Sequence, residues 1–310
     1  FLRGNGKLSG DEIISGKQGS YAAAVITGGN RVRNRCRNLI LDFTHVYKDE
    51  TVRDREQFQW IDCSDIAESH LYCSPSAYEE IRKRIEPFGI SGIHFIDSGN
   101  YHYVTKIMTD FLKEPFVLVC FDHHTDMQKP MVEGMTSCGD WAGQVLRENT
   151  YLQQLVLIGP PQRDIDGIEI GKPQSQTKRM QPEKVQPETM QTDRIETDKL
   201  LTFSEEELQN DTAKAKVAQI KEGLPFYISI DKDVLSRRFT ETNWNQGDMP
   251  LPMLEHLLQF FLQKGKVCGV DICGECRMDM PLPEYLEAEE INGETNVELY
   301  RYVKSHMIAK

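Results

Sequence analysis

Short apolar, β-branched or aromatic runs recur along the chain at residues 39–43, 93–97, 116–121, 154–158, 225–230 and 267–272. Each has the length of a strand. The runs are near-continuous rather than alternating, the texture of strands covered on both faces. Between most of them lie stretches with helical spacing. Ser74 before Pro75 opens one through YEEIRKRI, with a capping residue and a proline in the first turn. VTKIMTDFLK and WAGQVLREN share the period, and Ser204 with Glu207 spells a capping box. PLPMLEHLLQFFLQKG is the strongest amphipathic helix and stops at Gly265 before the next strand. The acidic segment EYLEAEEINGETNVELYRYVK predicts two helices broken about Asn292 and Gly293, with solvated charges. Strands alternating with helices indicate an α/β fold, a parallel sheet with helices on both faces.

Two segments stand outside this pattern. Residues 1–37 are Gly-rich, basic and nearly free of aromatic residues, and read as a flexible N-terminal extension. Residues 161–200 are rich in Gln, Pro, Glu, Lys and Thr, a composition that cannot bury enough surface to offset the entropy of ordering. They read as a flexible insertion within a single domain spanning 38–310, because candidate metal-binding residues lie on both sides and must meet.

In open α/β sheets ligands bind outside the carboxyl ends of the strands, and the polar clusters of this chain fall there. Asp122, His124 and Asp126 follow FVLVCF; Asp231 and Asp233 follow FYISI; His102 follows IHFID; Glu275 follows VCGVDI. Extended backbone would set residues i, i+2 and i+4 on one face, with His123 and Thr125 turned away. Four carboxylates crowded together repel unless cations neutralise them, and two divalent ions do so. Oxygen-rich ligation with two imidazoles and no thiolate favours a hard or borderline metal such as Mn²⁺, while affinity order also admits Zn²⁺, Co²⁺ or Fe²⁺. Two ions ~3.5–4 Å apart hold a bridging hydroxide and make it nucleophilic near neutral pH. The implied chemistry is hydrolysis.

Other residues have blander readings. His45 also follows an apolar strand and either lines the same cleft or is hydrogen-bonded at the surface. Cys273 and Cys276 form a CxxC, but a tetrahedral zinc site wants four ligands and no second CxxC exists. The eight scattered cysteines suit reduced thiols better than a secreted disulfide framework. A net charge of −12 without a Lys/Arg block argues against a general nucleic-acid role. The apolar runs are too short to span a bilayer and no leader pattern opens the chain. The expectation is a cytoplasmic protein with a small-molecule substrate and neither nucleic acid nor membrane as partner.

The ligand pattern resembles that of the ureohydrolases: arginase, agmatinase, formiminoglutamase and their relatives. Their DAHxD motif is similar to DHHTD here, which carries ligand roles onto Asp122, His124 and Asp126. Their SxDxD motif matches SIDKD at Asp231 and Asp233, and the His of their GGDHS loop is similar in placement to His102 in SGNYH. The resemblance covers about residues 39–280. It implies a three-layer αβα arrangement with a mainly parallel sheet of about eight strands (arginase/deacetylase-like) and a two-manganese hydrolase of linear C–N bonds in a guanidino, formimino or related molecule. It further implies bridging roles for Asp122 and Asp231, with Asp126 also accepting the proton of the nucleophile, and a homo-oligomer. The substrate shell departs from the family. Tyr101 replaces the acid before the ligand His; TSCGDWAG keeps Ser137 but has Trp141 where arginases place a His; Gln128 stands for a substrate-contacting Asn. The family's guanidinium-binding Glu falls one residue late, at Glu275, assigned here as a substrate carboxylate of the catalytic set. Two alternatives stay open: a deacetylase or amidohydrolase of the same fold, and a non-catalytic metal-binding protein.

Overall fold

The computed structural model describes residues 38–47, 57–168, 197–210 and 212–308. The extension expected over 1–37 and most of the expected insertion lie outside the described residues. The strands are β1 (Asn38–Asp42), β2 (Phe58–Asp62), β3 (Tyr72–Cys73), β4 (Ile93–Ile96), β5 (Phe116–Phe121), β6 (Thr136–Ser137), β7 (Leu152–Ile158), β8 (Leu200–Phe203), β9 (Phe226–Asp231) and β10 (Val267–Cys273). Eight of them form one sheet in the order β2-β1-β4-β10-β9-β5-β7-β8, and every adjacent pair is parallel. β3 and β6 pair antiparallel in a separate ribbon. The helices are α1 (Pro75–Ile85), α2 (Val104–Thr109), α3 (Trp141–Glu148), α4 (Gln162–Asp166), α5 (Glu205–Gln209), α6 (Lys214–Val217), α7 (Leu251–Lys264) and α8 (Leu282–Ile308).

The two faces of the sheet are visible in β5 itself. Val117, Val119 and Phe121 pack with Leu254, Leu258 and Phe261 of α7 and with Leu299 and Val303 of α8. Leu118 and Cys120 point the other way, among Ile81 of α1, Ile107 of α2 and Val145 of α3. Side chains alternate along a strand, so a run apolar at every position needs cover on both sides. That gives the three layers. Each fully buried large apolar side chain is worth roughly 1.5–3 kcal/mol, far above the ~0–1 kcal/mol of a surface ion pair, so the layers are held by these contacts.

Local signals set the helix starts. The Ser74 hydroxyl accepts from Ala77 N–H at 3.2 Å at the head of α1, and Ser204 with Glu207 closes a reciprocal capping box on α5. Two expectations need correction, and two strands were not expected. Of the residues expected in the insertion, Gln162–Asp166 form α4 and Leu200 opens β8. β2 and β8 had no apolar run to announce them; both are edge strands with mixed burial. Finally, the acidic segment is one helix, α8, rather than two. Gly within a helix costs about 1 kcal/mol, but Asn292 is buried and its side chain bonds Thr240, Glu241 and Glu275, which holds the backbone helical through the expected break. Among the described residues no helix is long and apolar enough to cross a membrane.

Candidate metal centre

β4, β10, β9 and β5 are consecutive in the middle of the sheet, and the chain leaving their carboxyl ends carries every candidate ligand. The convergence is not that of an extended strand. β5 ends at Phe121 and residues 122–126 form a loop, with Asp126 in the left-handed region at φ +50°. The backbone N–H groups of Ala142 and Gly143, at the start of α3, both donate to the Asp126 carbonyl and hold that conformation. Asp231 closes β9, and Lys232–Val234 turn as a short 3₁₀ segment in which Asp233 N–H donates to Asp231 Oδ1 at 3.0 Å. Turns, rather than strand pleat, aim these carboxylates.

The six expected ligands meet. His102 Nδ1 lies 3.2 Å from Asp122 Oδ2, 3.2 Å from Asp126 Oδ2 and 3.5 Å from Asp231 Oδ2. On the other side of the same carboxylate, Asp122 Oδ1 faces His124, whose Nδ1 lies 2.8 Å from Asp233 Oδ2 and 3.6 Å from Asp122 Oδ1. Asp122 thus presents one oxygen to each group. Neighbouring ligands around a six-coordinate divalent ion with ~2.1–2.4 Å bonds lie roughly 3.0–3.4 Å apart, so the His102 group has the spacing of a coordination shell. His102 Nδ1 and Asp122 Oδ2 are buried and make no hydrogen bond, and unsatisfied buried polar atoms of this kind call for an ion. The donor set fits a pair of divalent cations.

Electrostatics agree. Burial opposes a charged His124, but hydrogen bonds and charge from Asp122 and Asp233 outweigh it and push the imidazole up to about 12. His102 moves upward as well, against the effect of its burial. Burial, and then the charge of Asp122, push Asp126 up to about 7. Burial and neighbouring carboxylates also raise Asp231 and Asp233. Protons on these groups do the work that cations would do, drawn in by the crowded negative charge.

The surrounding residues divide. Gln128 and Ser137 line the cleft of about 170 Å³ above the ligands, together with Leu71, Tyr72, Cys138 and Trp244, which gives room for the reacting end of a small molecule. Gly99 lets the backbone after β4 approach closely, since a Cβ there would meet Trp244 Cδ1 at 2.8 Å and Asp231 Oδ2 at 3.0 Å. Trp141 is not a cleft residue. It is fully buried, tilts against His102 with ring centroids 4.7 Å apart, and donates its indole N–H to Asp126 Oδ2 at 2.6 Å. Trp141→Phe should therefore weaken metal binding by about 10–100-fold, as loss of a ligand-orienting hydrogen bond does; titration with Mn²⁺ measures it, and unchanged affinity would count against the orienting role.

Glu275 also sits elsewhere than expected. Its carboxylate takes the Lys232 ammonium at 2.6 Å, Asn296 Nδ2 at 2.8 Å and Asn292 Nδ2 at 3.1 Å, all away from the cleft. His45 is turned outward and bonds Asp42 Oδ2 at 3.1 Å. Tyr101 is buried and stacks on Phe43. Sequence reasoning missed two contacts: the Cys273 thiol donates to Asp231 Oδ2 at 3.3 Å, and the Ser229 hydroxyl bonds His102 Nε2 at 2.8 Å. Ser229 had a signal, as the Ser of SIDKD lies two residues before Asp231 on the same strand face.

No protein-family model matches the chain. An uncharacterized protein of Thermotoga maritima is 26% identical over 236 residues, 76% of this chain and 78% of its own length. Formimidoylglutamase from Bacillus subtilis superposes with a TM-score of 0.55 at 12% identity, covering 89% of both chains. The chain has the ureohydrolase fold. A second solved structure of that fold, Trypanosoma cruzi formiminoglutamase with Mn²⁺, matches at a TM-score of 0.53 and 11% identity, covering 89% of this chain and 95% of its own. The expected αβα fold with its eight-stranded parallel sheet is therefore observed.

Proposed function

We propose that this protein is a divergent ureohydrolase, a hydrolase that uses two Mn²⁺ ions to cleave a linear C–N bond in a guanidino, formimino or related small molecule. One observation carries the reading: Asp122 offers its two oxygens to two separate ligand groups, one at His102 and the other at His124 and Asp233. His102, Asp122, Asp126 and Asp231 would hold one ion, and Asp122, His124, Asp231 and Asp233 the other. Bound there, such ions act as Lewis acids and bring water into nucleophilic form near neutral pH. The oxygen-rich donor set supports manganese, and a formiminoglutamase of the same fold contains it.

The chain's own groups do the rest. Asp126, with Oδ2 3.2 Å from His102 Nδ1 and in the family's proton-accepting position, would take the proton of the attacking water and return it to the leaving amine. Trp141 fixes the Asp126 carboxylate from behind, and Ser229 holds the His102 ring in place from its other nitrogen. Gln128 and Ser137 stand where the substrate enters. The test is to load the protein with Mn²⁺, count ions by elemental analysis and measure release of urea, formamide or ammonia from guanidino and formimino compounds, or of amine from the corresponding amides. Release that disappears in Asp126→Asn supports the reading. A loaded protein inert toward the whole panel removes it.

A further inference from the structure

The residues above the metal centre specify what kind of group can sit there. A guanidinium cation held next to metal ions needs a free carboxylate, and the strand end that would supply one does not. Gly274 follows β10 directly, at φ +94°, and a Cβ there would lie 2.4 Å from Asp231 Oδ1 and 2.8 Å from Lys232 N. No side chain fits. The next residue, Glu275, is 3% exposed and spends both oxygens on Lys232, Asn296 and Asn292. Apart from the metal ligands themselves, the described residues lining the cleft are uncharged: Leu71, Tyr72, Gln128, Ser137, Cys138, Trp244 and two glycines.

We infer that, within the hydrolase reading on which this rests, the cleft takes a neutral carboxamide-type group carrying an apolar or aromatic tail, in preference to a guanidinium. Removing a cation from water without a partner is strongly unfavourable. Tyr72 and Trp244 are the described Tyr and Trp side chains of the lining, but an exposed cation–π contact offsets only a small part of that cost. A neutral amide needs one donor and one acceptor, and the Gln128 amide with the Ser137 hydroxyl supplies both. Trp244, 40% exposed, is a prepared surface for the tail: its indole N–H donates to Asn100 Oδ1 at 3.1 Å, and its ring stands edge-on to His124 at 5.9 Å. The reaction balances without any further reactant. Water adds to the carbonyl carbon, the C–N bond breaks, and an N-substituted formamide yields formate and the protonated amine.

The test uses a matched pair, N-phenethylformamide and phenethylguanidinium, with the Mn²⁺-loaded full chain. Binding is read from paramagnetic relaxation of the ligand protons, so it needs no turnover. The formamide should bind at least about tenfold more tightly than the guanidinium, a lower bound because the cleft opens to water and only part of the penalty for an unpaired charge applies. Trp244→Ala, with its fold checked by circular dichroism, should weaken the formamide about five- to tenfold, one aromatic contact. Equal or tighter binding of the guanidinium overturns the inference, and so does failure of the formamide to bind. Amine release is assayed separately. Selective binding without release, together with inertness toward the whole guanidino, formimino and amide panel, would remove the hydrolase reading while leaving the selectivity of the cleft in place.

Discussion

Asp122→Asn should leave the protein unable to hold either ion, whereas Asp233→Asn should lose one and keep the other. The difference follows from geometry: Asp122 faces both ligand groups, and Asp233 faces only His124. Elemental analysis after Mn²⁺ loading and desalting reads the stoichiometry directly. The hydrolytic rate should fall by about three orders of magnitude or more in Asp122→Asn, because the ions supply several kcal/mol of charge stabilisation and each 1.36 kcal/mol is tenfold. Thermal stability gives a second, independent reading. An ion present at about 100 times its dissociation constant adds about 2.7 kcal/mol to the folded state, or roughly 5–10 °C for a domain of this size. The native chain should show that rise on adding Mn²⁺, and Asp122→Asn should not. Two ions retained by Asp122→Asn would sink the shared-carboxylate arrangement.

Glu275→Gln should destabilise the fold by about 3–5 kcal/mol, the usual consequence of leaving a buried charge without its partner. Lys232 is completely buried, between Asp231 and Asp233 in sequence, and its ammonium is met by Glu275 and Asn296. The neutral amide also brings a donor against a donor. Asn296 and Asn292 each direct an N–H at a different Glu275 oxygen, so whichever way the Gln is turned, its NH₂ faces one of them. Denaturant unfolding measures the loss. The double variant Lys232→Met with Glu275→Leu should recover most of it, since a buried ion pair replaced by apolar groups of like volume is often neutral. A loss below about 1 kcal/mol in the single variant would show that water reaches this pair.

The central strands were readable from sequence because burial on both faces demands unbroken apolar runs, as in FVLVCF. The edge strands were not. FQWID has one face partly open to solvent and alternates weakly, and LLTF is a four-residue strand at the end of a polar stretch. The metal ligands were legible as residue types at strand ends, though not the turns that aim them. Residues whose role depends on a distant partner were misplaced. Nothing near Trp141 says that its indole reaches Asp126, fifteen positions away. Nothing near Glu275 reveals a lysine 43 positions earlier. Glu275 stands one residue beyond the position of the family's motif, and its carboxylate points into the interior rather than the cleft.

The uninterrupted α8 bears on the order in which the molecule is completed. Asn292 and Asn296 project from it onto Glu275, and thus onto the partner of Lys232. Domains are made from the amino end during synthesis, so the lysine flanked by two candidate ligands emerges before the helix that completes its surroundings. A nascent chain can form every strand of the sheet and still carry an incompletely satisfied ion pair beneath its metal centre. Docking of α8 is then the event that supplies the last two side-chain partners of the Lys232–Glu275 pair, after every strand of the sheet has been made.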